Sequence, residues 1–297
     1  MKKDIYNLDG KKSGSLELPK QFSEAIRPDL IKKVNNAIES NKRQKYGAYL
    51  GAGIRAAAEL SRRRKRFKGS YGHGISRVPR KHSWRRGVQF GFVGAFAPGT
   101  VSGRRAHPPR SEKNLKKKIN ITENRLAIRS AISSTIMENL VKERGHHFTE
   151  LISIIDNGVE SITKTKEIQN LLIKLDLKKE LERISQKKVR SGRGKMRNRK
   201  YKTRKGPLFV VSGKCPIMES GINIQGIDVC EVKNLNVNIL APGGNPGRLT
   251  IFTEKAIKEM TDNNLFFKNT VKKAEVKETT KAVKKATVKK TSKAVKK

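Results

Sequence analysis

Acidic residues are scarce in this 297-residue chain, and the scarcity is local. Only 26 Asp and Glu stand against 68 Lys and Arg, a formal net charge of +42. From Lys42 to Arg110 a single acid, Glu59, faces 18 Lys and Arg, and Lys187–Lys205 holds 11 with no acid. From Lys268 to Lys297, 12 lysines face Glu275 and Glu278, so the remaining sequence is almost neutral. Cysteine is scarce too. Cys215 and Cys230 form no Cys-x-x-Cys pair, which argues against a disulfide framework or a thiolate metal site and predicts two buried thiols. The five histidines, His73, His82, His107, His146 and His147, lack the spacing of a zinc motif. No apolar run approaches the roughly 18 residues of a membrane span. Met1–Lys12 is polar, unlike a secretory signal. The chain reads as soluble and intracellular, with no membrane partner.

Apart from the three basic segments, the chain has about the length of one domain. Leu30, Ile31, Val34, Ala37 and Ile38 predict an amphipathic helix over Asp29–Asn41, with Pro28 suited to its first turn. Between Tyr46 and Pro109 lie 11 of the 24 glycines, and helical periodicity is confined to Ile54–Leu60. Ile128, Ile132, Ile136 and Leu140 resume a helical repeat, Leu151–Ile155 reads as a short buried strand, and Ile168 to Ile184 as another amphipathic segment. Leu208–Val211, Ile227–Val232 and Leu249–Phe252 are β-branched runs between Gly, Pro and Asn turns, hence strands, and Glu254–Met260 is a helix. Strands alternating with helices predict an α/β fold with a mainly parallel sheet and helical crossovers. The expected organisation is a globular domain over 1–45 and 111–265, an extended loop over 46–110 inserted in it, and a disordered Lys-rich tail over 268–297, where KAVKK occurs at Lys281–Lys285 and Lys293–Lys297.

Catalytic signatures are weak. Gly51-Ala52-Gly53-Ile54-Arg55-Ala56 has the form of a dinucleotide fingerprint, but a poor strand precedes it and no acid follows at the ribose-binding distance. No G-x-S-x-G elbow is present, and Gly192-Arg193-Gly194-Lys195 lacks the spacing of a phosphate-binding P-loop. Neither a cofactor nor enzymatic activity is expected.

The basic segments differ in chemistry. The long loop has 13 Arg and five Lys, with Tyr46, Tyr49, Phe67, Tyr71, Trp84, Phe90, Phe92 and Phe96, half of the chain's aromatics. Arginine binds phosphate bidentately, aromatics stack on unpaired bases, and glycine permits close approach, a combination suited to folded RNA. The RNA contacts are assigned to Arg55, Arg62, Arg63, Arg64, Arg66, Arg77, Arg80, Trp84, Arg85, Arg86, Arg104, Arg105 and His107 of the loop. Arg190, Arg193, Lys195, Arg197, Arg199, Lys200, Lys202 and Arg204 of the second basic segment complete the set. The bland alternatives are a disordered Arg/Gly arm and a nuclear-targeting patch at Arg62–Arg66. The all-lysine tail is a sequence-independent electrostatic tether, and motivates a rival reading as a chromatin-type DNA binder.

Four motifs carry a resemblance. Gly103-Arg104-Arg105-Ala106-His107-Pro108-Pro109, Ser76-Arg77-Val78-Pro79-Arg80, the stretch from Val189 through Lys205-Gly206-Pro207-Leu208, and Leu235–Leu249 with its Ala241-Pro242-Gly243-Gly244 and Pro246-Gly247-Arg248 elements occur in order. Over about Ile5 to Met260 the chain resembles the family of the universal large-subunit ribosomal protein four, in its archaeal and eukaryotic form. It departs from that family at Ala56–Phe67, where an Arg/Lys cluster replaces a Ser/Thr-Ala-Glu-rich element. The resemblance implies a globular α/β domain on the large ribosomal subunit, in the cytoplasm, bound to large-subunit rRNA and neighbouring ribosomal proteins. It further implies a loop that reaches the polypeptide exit tunnel, with Tyr71, His73 and Arg77 at a tip near the nascent peptide.

Binding that neutralises many phosphates releases as many counterions. The affinity of the chain for RNA is therefore expected to fall with salt at a logarithmic slope of about −0.7 per phosphate on single strands. A salt titration of binding to labelled RNA checks this, and a flat response contradicts it.

Overall fold

The strands at 208–211 and 250–253 are buried at every residue, because each is covered on both faces of one sheet. The computed structural model of the protein describes residues 1–52, 63–65, 69–87 and 89–267. The Lys-rich tail, most of the Gly51–Ala56 fingerprint and the helical stretch expected at Ile54–Leu60 lie outside the described residues. The chain begins with strands β1 (Lys2–Tyr6) and β2 (Lys12–Glu17), then helix α1 (Pro28–Asn41). Strands β3 (Arg80–Arg86) and β4 (Gln89–Gly94) follow, then α2 (Ile121–Ser134), α3 (Glu138–Glu143) and β5 (Ile154–Ile155). Next come α4 (Thr165–Lys174), α5 (Lys178–Ser185), β6 (Lys188–Val189), β7 (Tyr201–Lys202), β8 (Leu208–Val211), α6 (Ile217–Ile222) and β9 (Asp228–Glu231). The last elements are α7 (Val237–Leu240), β10 (Thr250–Thr253) and α8 (Glu254–Asp262).

Six strands form the main sheet in the order β2-β1-β5-β10-β8-β9, parallel throughout except for the β1–β2 hairpin. The mainly parallel α/β architecture agrees with the sequence reading. Strand period two divides the interior into two layers. Ile154, Leu208, Val210 and Phe252 face α1, α2, α7 and α8, where Ile31, Val34, Ile132, Leu240 and Ile257 pack. Ile155, Phe209, Val211 and Ile251 face the other side, with Ile168, Leu171 and Leu172 of α4 and Ile217 of α6. Among the described residues the last strand in sequence, β10, sits in the middle of the sheet, between β5 and β8, so it joins the two halves of the sheet.

Several elements differ from expectation for local reasons. The four-residue repeat from Ile128 to Leu140 spans two helices, α2 and α3, and Ile168 to Ile184 spans α4 and α5. The second break falls at Asp176, in the left-handed region at φ 56°. Of Leu151–Ile155 only Ile154–Ile155 pairs as strand, and the polar β1–β2 hairpin carries no apolar run that would have marked it. Cys230 is buried but Cys215 is only half-buried, which corrects the expectation of two buried thiols. Asn120 caps α2 by accepting from the Thr122 amide, and Thr253 caps α8 by accepting from the Ala256 amide.

The chain divides into two units, Met1–Asn41 with Lys117–Lys297, and Lys42–Lys116. Within the first, Arg248 is completely buried. Its Nε donates to the Gly206 carbonyl (2.9 Å), one terminal nitrogen to the Ile239 carbonyl (2.8 Å) and the other to Asp228 Oδ2 (2.7 Å). One side chain thus ties the entry of β8 to α7 and β9. Burial lowers the guanidinium pKa, with Asp228 opposing, while Asp228, pushed up by its own burial, is held below the usual range by Arg248 and Lys205. Removing Arg248 leaves the Gly206 and Ile239 carbonyls without their donor and Asp228 with Lys205 alone. Arg248→Ala is therefore expected to cost about 3–5 kcal/mol, read as a lowered urea midpoint; an unchanged midpoint would contradict this role.

Candidate nucleic-acid interface

The acid-free segment 187–205 folds as a small ribbon rooted in the first unit. Lys188 pairs with Lys202 and Val189 with Tyr201 across β6 and β7, and the Arg190 amide extends the pairing to the Lys200 carbonyl (2.8 Å). At the tip, a turn of 3-10 helix over Lys195–Arg197 ends at Asn198, in the left-handed region at φ 60°. Arg190 braces the ribbon: its Nε donates to the Arg199 carbonyl (3.1 Å). Its side chain passes Gly194 so closely that a Cβ there would lie 2.7 Å from Arg190 Cδ. The remaining cations of the assignment, Arg193, Lys195, Arg197, Arg199, Lys200, Lys202 and Arg204, are all exposed. Like charges directly opposed across a ribbon destabilise it, as at Lys188 and Lys202, unless an anion intervenes.

The ribbon's base is fixed by buried charge. Arg183 on α5 donates to the Lys205 carbonyl (2.8 Å) and to both oxygens of Glu180 (2.6 and 2.8 Å). The Glu180 carboxylate, with no exposed side-chain surface, also accepts the His147 amide (3.1 Å) and meets His146 Nδ1 at 2.7 Å. Burial alone would raise the Glu180 pKa, yet Arg183, His146 and the His147 amide hold it down at about 2. Burial also lowers His146, against the pull of Glu180, so its imidazole is neutral and Nδ1 donates to the carboxylate. Lys205 Nζ reaches Asp228 at 2.8 Å, and Arg144 donates to the Pro242 carbonyl (2.8 Å) and to the Asn245 carbonyl. His146 and His147 lie in the loop after α3, with a buried ion network beneath it.

In the second unit, the two arms meet where the Ala48 amide donates to the Pro109 carbonyl (3.0 Å). Gly47 lies so near that a Cβ there would be 2.9 Å from the Ser111 nitrogen. The loop expected as an extended path contains a hairpin, β3 and β4, with Arg80 opposite Gly94 and Arg86 opposite Gln89. Arg80 is turned inward on its own chain. It donates to the Ser76 carbonyl and the Ser76 hydroxyl (3.2 Å), and its guanidinium lies 5.4 Å from the centre of the Phe92 ring. Beyond the hairpin, Thr100 Oγ1 donates toward the carbonyls of Ala95 (3.2 Å) and Ala97 (2.7 Å), closing the turn ahead of Gly103. Tyr71, His73 and Arg77 are exposed, the first two in a turn with positive φ at Gly72 and Gly74. Arg63, Arg64, Trp84, Arg85, Arg86, Arg105 and His107 are exposed and Arg104 is half-buried. Arg105 and His107 share a shallow hollow with Pro108, Pro109 and Arg110. Arg55, Arg62 and Arg66 lie outside the described residues.

Two groups escaped the sequence reading. Tyr201, half-exposed with Lys200 Nζ 5.5 Å from its ring centre, belongs to the ribbon surface, and an aromatic inside an acid-free cation run was its signal. Glu180, Arg183 and Arg248, which hold the ribbon's root, gave no signal, since nothing in a linear pattern distinguishes a buried ion pair from an exposed one. At the carboxyl ends of β8 and β10, where open α/β sheets hold ligands, Glu160 is engaged by the Ser212 amide (3.1 Å) and Thr253 Oγ1 (2.8 Å).

A nearly neutral α/β core that presents exposed cations and aromatics on ribbons, with no catalytic constellation among the described residues, has the make-up of a nucleic-acid-binding protein. A sequence model of the ribosomal protein L4/L1 family matches residues 16–263. The large ribosomal subunit protein uL4 of Nanoarchaeum equitans is 47% identical over 268 residues, 90% of this chain and 100% of its own length. Proteins of the same description from Methanococcoides burtonii and Archaeoglobus fulgidus are 40% and 39% identical, covering 86% and 87% of this chain and 96% and 97% of theirs. The chain belongs to the ribosomal protein L4/L1 family, a family of structural, non-enzymatic proteins.

The buried network sets an acid limit. Glu180 has a folded pKa below its unfolded value, so its contribution is present above that unfolded value and is lost as pH falls toward about 2. His146, neutral in the fold, takes a proton more readily when unfolded, so it too withdraws stability as pH falls below its ordinary value near 6.5. Stability is therefore expected to decline from about pH 6.5 downward. Urea midpoints across pH check this, and in Glu180→Gln the slope below about pH 4.5 should flatten.

Proposed function

We propose that the chain is a structural constituent of the large ribosomal subunit, acting in the cytoplasm within the ribosome and binding large-subunit rRNA through two cationic surfaces. One is the β6–β7 ribbon, with Arg193, Lys195, Arg197, Arg199, Lys200, Lys202 and Arg204. The other is the loop unit, with the described cations Arg63, Arg64, Arg77, Arg85, Arg86, Arg104 and Arg105 beside Trp84 and His107, and with Arg55, Arg62 and Arg66 of the same segment. The observation that carries this reading is the ribbon: a buried carboxylate aims a segment with no acid of its own, and that segment sets lysine opposite lysine. Such a surface is at rest only against a polyanion. Arginines entering gaps between rRNA helices lower the repulsion between their phosphates and let them pack. The names of the relatives direct the polyanion to the large ribosomal subunit. Among the described residues no helix is long and apolar enough to cross a bilayer.

The finer part of the proposal concerns the loop. Tyr71, His73 and Arg77 form a tip that reaches the polypeptide exit tunnel and borders the nascent peptide, with neighbouring ribosomal proteins as further partners. Support comes from the exposure of these side chains and the glycine turn that presents them. The tail from Lys268 adds affinity of a salt-sensitive, sequence-independent kind.

Tagged protein in cells is expected to co-sediment with large subunits and remain after a high-salt wash; release into the free fraction would sink the ribosomal reading. A photo-crosslinking residue at position 71 is expected to capture nascent chains on stalled ribosomes. Capture of rRNA alone would overturn the tunnel assignment and leave rRNA binding intact.

A further inference from the structure

Trp84 is the chain's one tryptophan, and it is 55% exposed. It lies on β3 directly opposite Gly91 of β4, beside the irregularity that shifts the register between His82 and Trp84. A Cβ built on Gly91 would collide with Nε1 and Cδ1 of the Trp84 indole and with Ser83 Oγ. The indole is therefore seated against the β4 backbone, and only glycine at position 91 leaves room for it. A two-stranded ribbon has no interior to receive so large an apolar ring, so the ring's outward surface stays in water until a partner covers it.

The surroundings restrict that partner. Lys81, Arg85 and Arg86 are exposed on the same strand, and no acid occurs between Leu60 and Ser111. A nucleobase with its phosphate matches both features, a flat π face for the indole and negative charge for the flanking cations. A paired base inside a duplex has both faces covered by its neighbours and cannot offer one. Arginines alone would bind duplex and single strand alike; a seated tryptophan adds a preference.

We infer that Trp84, seated on Gly91, is a stacking platform for an unpaired RNA base, with Gly91 as its positioning residue. The inference rests on the rRNA-binding reading above and adds to it the state of the RNA at this point: a base turned out of its helix.

Because the chain has a single tryptophan, its emission reports this site alone. The full chain is titrated with a short oligouridylate, a fully paired RNA duplex and inorganic polyphosphate, while tryptophan emission and the anisotropy of fluorescein-labelled RNA are followed together. Oligouridylate is expected to quench Trp84 in step with its binding curve, and the duplex and polyphosphate are expected to leave the emission almost unchanged. Trp84→Ala should weaken oligouridylate binding at least about five-fold without weakening duplex binding. Trp84→Phe, which keeps a ring on Gly91, should retain most of the affinity. Gly91→Ala should blunt the quenching and weaken oligouridylate to a similar extent; if that variant fails to fold, the contrast between Trp84→Ala and Trp84→Phe decides. Binding of oligouridylate with a silent Trp84, equal quenching by duplex or polyphosphate, or equal loss in the alanine and phenylalanine variants would overturn the inference alone. Absence of any RNA binding by anisotropy would sink the broader reading together with it.

Discussion

Repulsion among 68 Lys and Arg, offset by only 26 carboxylates, governs where each part of this chain can go. Within a folded domain, effective dielectric constants far below that of water make unopposed like charges several-fold costlier than in solution. The unit built around the main sheet therefore receives nearly all the acids, and among the described residues the acid-free segments display their cations on ribbons with no core of their own. The β6–β7 ribbon and the β3–β4 hairpin are the same solution reached in two places: a short antiparallel pair, a turn made by a left-handed residue or a glycine, and side chains left in solvent.

The few buried acids give the displayed charge its direction. Glu180 has no exposed side-chain surface and serves Arg183, His146 and the His147 amide together, and through Arg183 it reaches the carbonyl of Lys205 at the ribbon's end. Asp228 does the same from the other side, holding Lys205 at the surface and Arg248 in the interior. Gly206 and Gly226 complete the root: the Gly206 amide donates to the Gly226 carbonyl (2.8 Å), and a Cβ at either position would strike Ile184 of α5. Packing of α5, pairing of β8 with β9 and orientation of the cationic ribbon are thus one arrangement. Disturbing the core at this point misdirects the binding surface.

The motifs that carry the family resemblance turn out to serve different ends. In Ser76–Arg80, Arg80 holds its own turn and the Phe92 ring. In Pro246–Leu249, Arg248 is a core strut, and a Cβ on Gly247 would lie 2.6 Å from the Leu140 carbonyl oxygen. Arg77 of Ser76–Arg80, the Gly103–Pro109 element and the ribbon cations present their charge to solvent. A basic residue in a family motif can therefore brace the fold instead of, or as well as, displaying its charge.

Much of the fold was legible in sequence because burial on both faces leaves a linear trace. Leu208–Val211 and the run ending at Thr253 show it, and so do the amphipathic faces of α1 and α4. The exposure of the cationic segment was legible for an equally local reason, since a stretch of 19 residues without an acid cannot be interior. What the sequence by itself determined is this division of the chain into a neutral core and charged display, because both depend on the character of contiguous residues. The tertiary structure decided which cations also brace the fold: Arg190, Arg80 and Arg248 read like their neighbours, yet each donates to at least one backbone carbonyl. It also decided that β10, the last of the described strands, stands at the centre of the sheet. Strand order and partner choice depend on contacts between residues far apart in sequence, and no local pattern encodes them.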